Sequence, residues 1–152
     1  MNTVEKDALA IVGIETRTSN HAGKAEVQIP KLWQEFMQTQ SLKELAHKKN
    51  ETIYALYTDY ESDHNGNYTM VLGHEVSNLD KIPEELSVKI VPKAQYKKFT
   101  AKGDLTKDAV INTWRKIWNT NLNRRYTTDI EIYDEKAMNP TNGEASIYVA
   151  VQ

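Results

Sequence analysis

Ile29-Pro30-Lys31-Leu32-Trp33-Gln34-Glu35-Phe36-Met37 is echoed by Val110-Ile111-Asn112-Thr113-Trp114-Arg115-Lys116-Ile117-Trp118. In the same order, Thr58-Asp59-Tyr60-Glu61 is echoed by Thr128-Asp129-Ile130-Glu131. Each acidic segment precedes an Asn-Gly pair, Asn65-Gly66 and Asn142-Gly143, and then an alternating apolar run. The pattern describes one small strand-and-helix unit used twice. Two such copies must share a core, and the seam between them is a natural place for a ligand groove.

Outward from these segments, each copy reads strand, helix, strand, strand. Ala8 to Thr16 is short, branched and apolar, the composition of a strand. After a loop with Ser19, Asn20 and Gly23, Pro30 is expected in the first turn of a helix, where its missing N–H costs nothing. Leu32, Trp33, Phe36 and Met37 then share a helical face. Ser41 and Glu44 have capping-box spacing and predict a short helix to about His47. Ile53 to Tyr60 and Tyr68 to Leu72 form a hairpin about Asn65-Gly66, and Leu79 to Glu85, with Pro83, reads as a linker.

In the second copy, Leu86 to Thr100 supplies a strand interrupted by Pro92. Thr106 to Leu122 supplies a helix with Val110, Ile111, Trp114, Ile117, Trp118 and Leu122 at a 3.6-residue period. Thr128 to Tyr133 and Ala145 to Val151 close a second hairpin. The fold class is α+β: duplicated β-α-β-β units forming an antiparallel sheet, with two main helices and a central ligand groove. One domain is expected over residues 1–152, built from repeats at about 8–76 and 86–151.

Composition narrows the chemistry. A chain of 152 residues buries a sizeable core without staples, and the absence of cysteine excludes disulfides, thiolate metal sites and a cysteine nucleophile. Lys and Arg number 19 against 21 Asp and Glu, so no global basic field holds a nucleic-acid backbone. The cluster Lys89, Lys93, Lys97, Lys98 and Lys102 reads as a solvated face. Neither a signal peptide nor a membrane span is legible, which gives a cytoplasmic location and no membrane partner as expectations.

His21, His47, His64 and His74 show no paired ligand spacing. Glu61-x-Asp63-x-Asn65-Gly66 reads as a hairpin turn, since a calcium loop needs a bidentate Glu where Leu72 stands. There is no Gly-rich phosphate loop and no Gly-x-Ser-x-Gly elbow, so no cofactor, metal or catalytic residue is assigned.

Period-two alternation places Asp129, Glu131 and Tyr133 on one face of their strand and Ile130 and Ile132 on the other. Tyr57 alternates with Leu56 and Thr58. Tyr148 is expected near Glu131 and Tyr133 through hairpin pairing. Carboxylates gathered with phenol rings outline a cation site, because aromatic faces attract a desolvated cation and a partly buried carboxylate supplies the counter-charge. Trp33, Trp114 and Trp118, with Phe36, are its candidate walls from the two helices.

Together, Leu32-Trp33-Gln34-Glu35-Phe36-Met37, Ile53 through Asp63, Asn67-Tyr68-Thr69-Met70-Val71-Leu72-Gly73, Trp114-x-x-Ile117-Trp118 and Asp129-Ile130-Glu131-Ile132-Tyr133 resemble the integron-cassette effector-binding proteins. These belong to the wider GyrI-like family, whose relatives form the effector domains of AraC-type and multidrug-sensing transcription regulators. The resemblance runs from about Leu9 to Val151. It implies a pseudo-twofold repeat and a groove for small, cationic, aromatic, drug-like molecules, with Glu131 facing the ligand and Tyr133 and the tryptophans as walls.

The reading that follows is a sensor or sequestering module for a small organic cation. Direct contact with nucleic acid is not expected, and any role in transcription passes through a regulator protein partner. The alternative is a hydrolase of strained electrophilic small molecules, with Glu131 as general base and Tyr133 or Tyr148 as proton donor; no second convergent acid supports it. A haem carrier of the related SOUL type needs an axial ligand, and none of the four histidines takes that role.

Overall fold

The computed structural model describes residues 3–152. Along the chain run β1 (Thr3–Lys6), β2 (Leu9–Ser19), α1 (Lys24–Gln38), the short α2 (Gln40–Lys43), β3 (Ile53–Thr58), β4 (Asn67–Glu75), β5 (Ser87–Val91), β6 (Ala94–Gly103), α3 (Ala109–Trp118), β7 (Thr128–Tyr133) and β8 (Gly143–Val151). The order strand, helix, strand, strand occurs twice among the longer elements, over β2 to β4 and over β6 to β8. All eight strands join one antiparallel sheet in the order β1-β6-β8-β7-β3-β4-β2-β5. No described helix is long and apolar enough to cross a membrane.

Two short connections force this sheet to curl. β1 and β2 stand six strand spacings apart, about 29 Å in a flat sheet. Only Asp7 and Ala8 join them, a step that spans about 11 Å at most. β5 and β6 are equally far apart in the order and are joined by Pro92 and Lys93 alone. The ends of the sheet therefore approach each other and enclose one core of Ile11, Leu56, Val71, Val91, Tyr96, Ile130 and Ala150. The opposite face carries α1 and α3.

Gly13 and Gly73 meet across β2 and β4 in this curl. A Cβ on Gly13 would fall on the Leu72 carbonyl oxygen, and one on Gly73 on the Val12 carbonyl oxygen. Gly13→Ala is expected to lower stability by roughly 2–3 kcal/mol, within the range of backbone and overpacking substitutions. Urea denaturation measures this, and an unchanged midpoint would mean that the two backbones part there without cost.

Several sequence expectations shift. α1 begins at Lys24 behind the left-handed Gly23, so Pro30 lies inside the helix and not in its first turn. Ala25, Glu26 and Gln28 are helix-compatible and carry the start upstream. Thr39, not Ser41, precedes α2, no side chain caps it, and it ends at Lys43. α3 is shorter than Thr106 to Leu122, because Asp104 binds the backbone N–H and hydroxyl of Thr106 in a turn and the helix closes at Asn119.

The Thr-Asp-x-Glu echo is also not a structural one. β3 stops at Thr58, Asp59 is left-handed at φ 51°, and Asp59 and Glu61 are exposed, whereas Asp129 and Glu131 are buried within β7. Of the lysine cluster, Lys89 pairs with Asp59, Lys93 with Glu5 and Lys102 with Glu144.

Candidate functional site

Beneath the two helices lie two apolar clusters. One joins Leu32 and Phe36 of α1 to Val12, Ala55, Tyr68, Met70 and Leu72; the other joins Trp114 and Ile117 of α3 to Ala101, Ala145, Ile147 and Val149. Tyr57 and Tyr133 pack against both. In the sheet register Glu131 pairs with Ala55 of the first cluster on one side and Ile147 of the second on the other. A carboxylate thus occupies the seam between the α1-covered and α3-covered halves.

Glu131 is 1% exposed. Its Oε2 accepts the Tyr57 hydroxyl at 2.7 Å and the Trp114 indole N–H at 2.6 Å, and its Oε1 accepts the Tyr133 hydroxyl at 2.6 Å. All three donors are neutral. Burial drives the Glu131 carboxyl above its ordinary range, and the three hydrogen bonds only partly oppose that rise. Burial, with the Glu131 charge beside them, also holds Tyr57 and Tyr133 well above the usual phenol range, so both stay donors.

Two residues earlier on the same strand face, Asp129 has a different environment. Its Oδ2 accepts Arg124 Nη2 at 2.7 Å and the Tyr60 hydroxyl at 2.6 Å, and its Oδ1 accepts the Ala150 N–H at 2.8 Å. Asp129 is fully buried and the Arg124 side chain is 7% exposed. The guanidinium lies 4.3 Å over the Tyr126 ring and 6.0 Å from the Trp114 ring. Burial raises the Asp129 carboxyl and Arg124 pulls it back; burial works equally against the Arg124 charge, and Asp129 with Tyr60 and Tyr126 more than offsets it. A guanidinium does not deprotonate in proteins, so Arg124 stays charged and lies at ion-pair distance from Asp129.

Aromatic rings surround both carboxylates. Trp33 meets Tyr133 edge-on at 5.1 Å and Phe36 at 6.2 Å. Tyr57 contacts Trp114 at 5.3 Å and Tyr68 at 5.8 Å, Tyr60 contacts Tyr68 and Tyr126, and Trp114 contacts Trp118. His64 stacks on Trp118 and Tyr126. An open depression beside the start of α1 is bordered by Ser19, His21, Lys24, Glu61, Asn65 and Asn67 and does not reach Glu131.

A family model described as Cass2, integron-associated effector binding protein, matches residues 3–151. The chain belongs to the integron-associated effector binding protein family. YobU of Bacillus subtilis (strain 168), whose name places it among transcriptional regulators, is 31% identical over 150 residues, covering 96% of this chain and 94% of YobU. The integron cassette protein VCH_CASS2, from the mobile metagenome of Vibrio cholerae, is 26% identical with a TM-score of 0.78, covering 99% of this chain and 95% of that one. SAV2435, solved bound to tetraphenylphosphonium, is 20% identical and shares the fold, with a TM-score of 0.79 over 99% of this chain and 93% of its own.

In this member of the integron-associated family, the fold brings Glu131, Tyr133, Tyr57 and Trp114 into direct contact and sets Trp33, Phe36 and Trp118 around them. Trp118, at 36% exposed, forms the outer end of the row. Tyr148 lies elsewhere. The register pairs it with Ile130, not Glu131, so it projects from the opposite face, where it meets Tyr96 with Lys6 4.4 Å over its ring. A shift of one residue in pairing moves every side chain to the other face.

Sequence reasoning did not find Arg124, Tyr60, Tyr68, Tyr126 or His64. Arg124 sits in an isolated bridge to Val151, outside any helix or strand, so no periodicity marks it. Its pairing with Asp129 is a product of tertiary structure.

Proposed function

We infer that this effector-binding chain takes a delocalised organic cation at Glu131. One observation carries the reading: Glu131 is buried among three neutral donors with no cation in contact among the described residues, while Asp129, two residues away, is paired with Arg124. An ionised carboxylate without a counter-charge is costly in a dry interior. A ligand cation supplies that charge, and the rings of Trp33, Tyr57, Trp114 and Tyr133 supply faces on which it loses little by leaving water. Large cations with spread charge shed water most cheaply. SAV2435, of the same fold, binds tetraphenylphosphonium, a cation of this type.

Because Glu131 is sealed from solvent, entry requires the surrounding rings to move, and the indoles of Trp33, Trp114 and Trp118 are the reporters. The test is a tryptophan-fluorescence titration with 1-methyl-4-phenylpyridinium and with 4-methylbiphenyl, its neutral near-isostere. A saturable change with tighter binding of the cation supports the reading. Equal affinity for the two rods would reject a counter-charge role.

The titration should depend on pH in one direction. Glu131 in the free protein has a raised carboxyl, and only the ionised form pairs with a cation. Affinity is therefore expected to rise with pH from the ordinary carboxylate range to the raised value and to level off above it, with up to one proton released per cation bound. A flat profile across that interval would place the cation at another group. For folding the sign is opposite: the protonated carboxyl favours the native state below the ordinary value, and this contribution is lost as pH rises through the raised one.

The route to transcription, if this chain takes one, is read as a regulator protein partner and not direct DNA contact, from the near balance of 19 basic and 21 acidic residues.

A further inference from the structure

Asp129 and Glu131 are the two buried acidic residues among the described residues, and they share one face of β7. Trp114 touches both environments. Its N–H bonds to Glu131 at 2.6 Å, and its ring lies 6.0 Å from the Arg124 guanidinium. From Trp114 the aromatic row runs to solvent through Trp118, with His64 and Tyr126 alongside. A rod-shaped ligand with one end at Glu131 and its body along this row brings its far end beside Arg124.

We propose that Arg124 is a specificity-determining residue that limits the ligand to a single positive charge, because it occupies Asp129 and leaves Glu131 as the one buried carboxylate open to a ligand. This rests on the reading of Glu131 as a cation's counter-charge. Arg124 is held firmly in that position, almost fully buried, bonded to Asp129 and stacked on Tyr126. Its Nε is buried without an acceptor, so the guanidinium is held by charge and stacking and not by a full set of hydrogen bonds. A second ligand charge entering the row meets a guanidinium of the same sign and finds no carboxylate to neutralise it. Where the interior is dry, that charge keeps its full desolvation cost.

Three near-isosteric rods carry zero, one and two charges: 4-methylbiphenyl, 1-methyl-4-phenylpyridinium and 1,1′-dimethyl-4,4′-bipyridinium. Their affinities, measured by calorimetry at neutral pH, are to be compared for the parent chain, Arg124→Met, and the double variant Arg124→Met/Asp129→Asn. The parent is expected to prefer the monocation over the dication by roughly tenfold or more, the scale set by an unpaired buried charge. Arg124→Met frees Asp129, and the preference should narrow or reverse by a similar factor. The double variant has one free carboxylate again and should return to the monocation.

Equal binding of monocation and dication by the parent overturns the proposal, as does the same preference in both variants. Should Arg124→Met fail to fold alone, the double variant still decides: it removes the guanidinium without freeing a carboxylate, so its preference for the monocation should be smaller than the parent's, and an unchanged preference overturns the role of Arg124. Failure of the underlying reading looks different: the parent would then bind 4-methylbiphenyl as tightly as the monocation.

Discussion

Glu131→Gln is expected to lower affinity for a delocalised cation by about 3–5 kcal/mol, on the order of 10² to 10⁴-fold, the cost of removing one partner of a desolvated charge pair. Binding of a neutral rod of the same shape should change little. The substitution separates charge from packing because the amide fits the hydrogen bonds already present. Trp114 N–H can only donate, so the amide oxygen must take the place of Oε2, where it also accepts from Tyr57. The amide nitrogen then replaces Oε1 and donates to the Tyr133 hydroxyl, which turns from donor to acceptor. The variant should be at least as stable as the parent, with an advantage that grows as pH rises above the ordinary carboxylate range. Calorimetric titration and urea denaturation together test this. Equal losses for cation and neutral rod would leave Glu131 a packing role only.

Arg124→Met should cost about 3–5 kcal/mol of stability at neutral pH, since it strands the Asp129 carboxylate in the interior. The Ala150 N–H and the Tyr60 hydroxyl remain as donors to Asp129, but neither supplies charge. The loss should shrink in acid, where the carboxyl is neutral. Adding Asp129→Asn should recover most of it, because replacing both members of a buried pair by neutral groups is often harmless. Urea midpoints of the two variants measure the difference. A single variant as stable as the parent would show that Asp129 finds another partner or takes a proton at little cost.

Much of this fold was legible because its local signals agree. Branched apolar runs marked the strands, the 3.6-residue period marked both main helices, and their count and order implied an antiparallel sheet covered by helices. Glu131, Tyr133, Tyr57 and Trp114 were legible for a related reason: alternation fixes which side of a strand a residue takes, and the aligned helix segments placed Trp33 and Trp114 in corresponding positions. What alternation does not fix is register between strands. Tyr148 alternates as cleanly as Glu131, yet Ile147 is the residue opposite Glu131, and that places Tyr148 on the other face.

The Thr-Asp-x-Glu echo misled for another reason. Two matching tetrapeptide patterns imply equivalent strands, but β3 ends where β7 begins its acidic pair, and the left-handed Asp59 turns the chain away. Arg124 was invisible because an ion pair between an irregular segment and a strand leaves no periodic trace.

The last strand occupies an interior place in the sheet. β8 is flanked by β6 and β7, and it lies under α3 through Ile147 and Val149. Synthesis runs from the other end of the chain, so β6 and β7 leave the ribosome with nothing between them and must wait, ladder groups unpaired, for Gly143 to Val151. The strand bearing Glu131 is thus completed late, after every ring that surrounds it has been made. Folding is governed by contacts far apart in the chain, which slows it and lengthens the time in which open strand edges meet other chains. The cell meets this protein first as an incomplete sheet, and only afterwards as a binder.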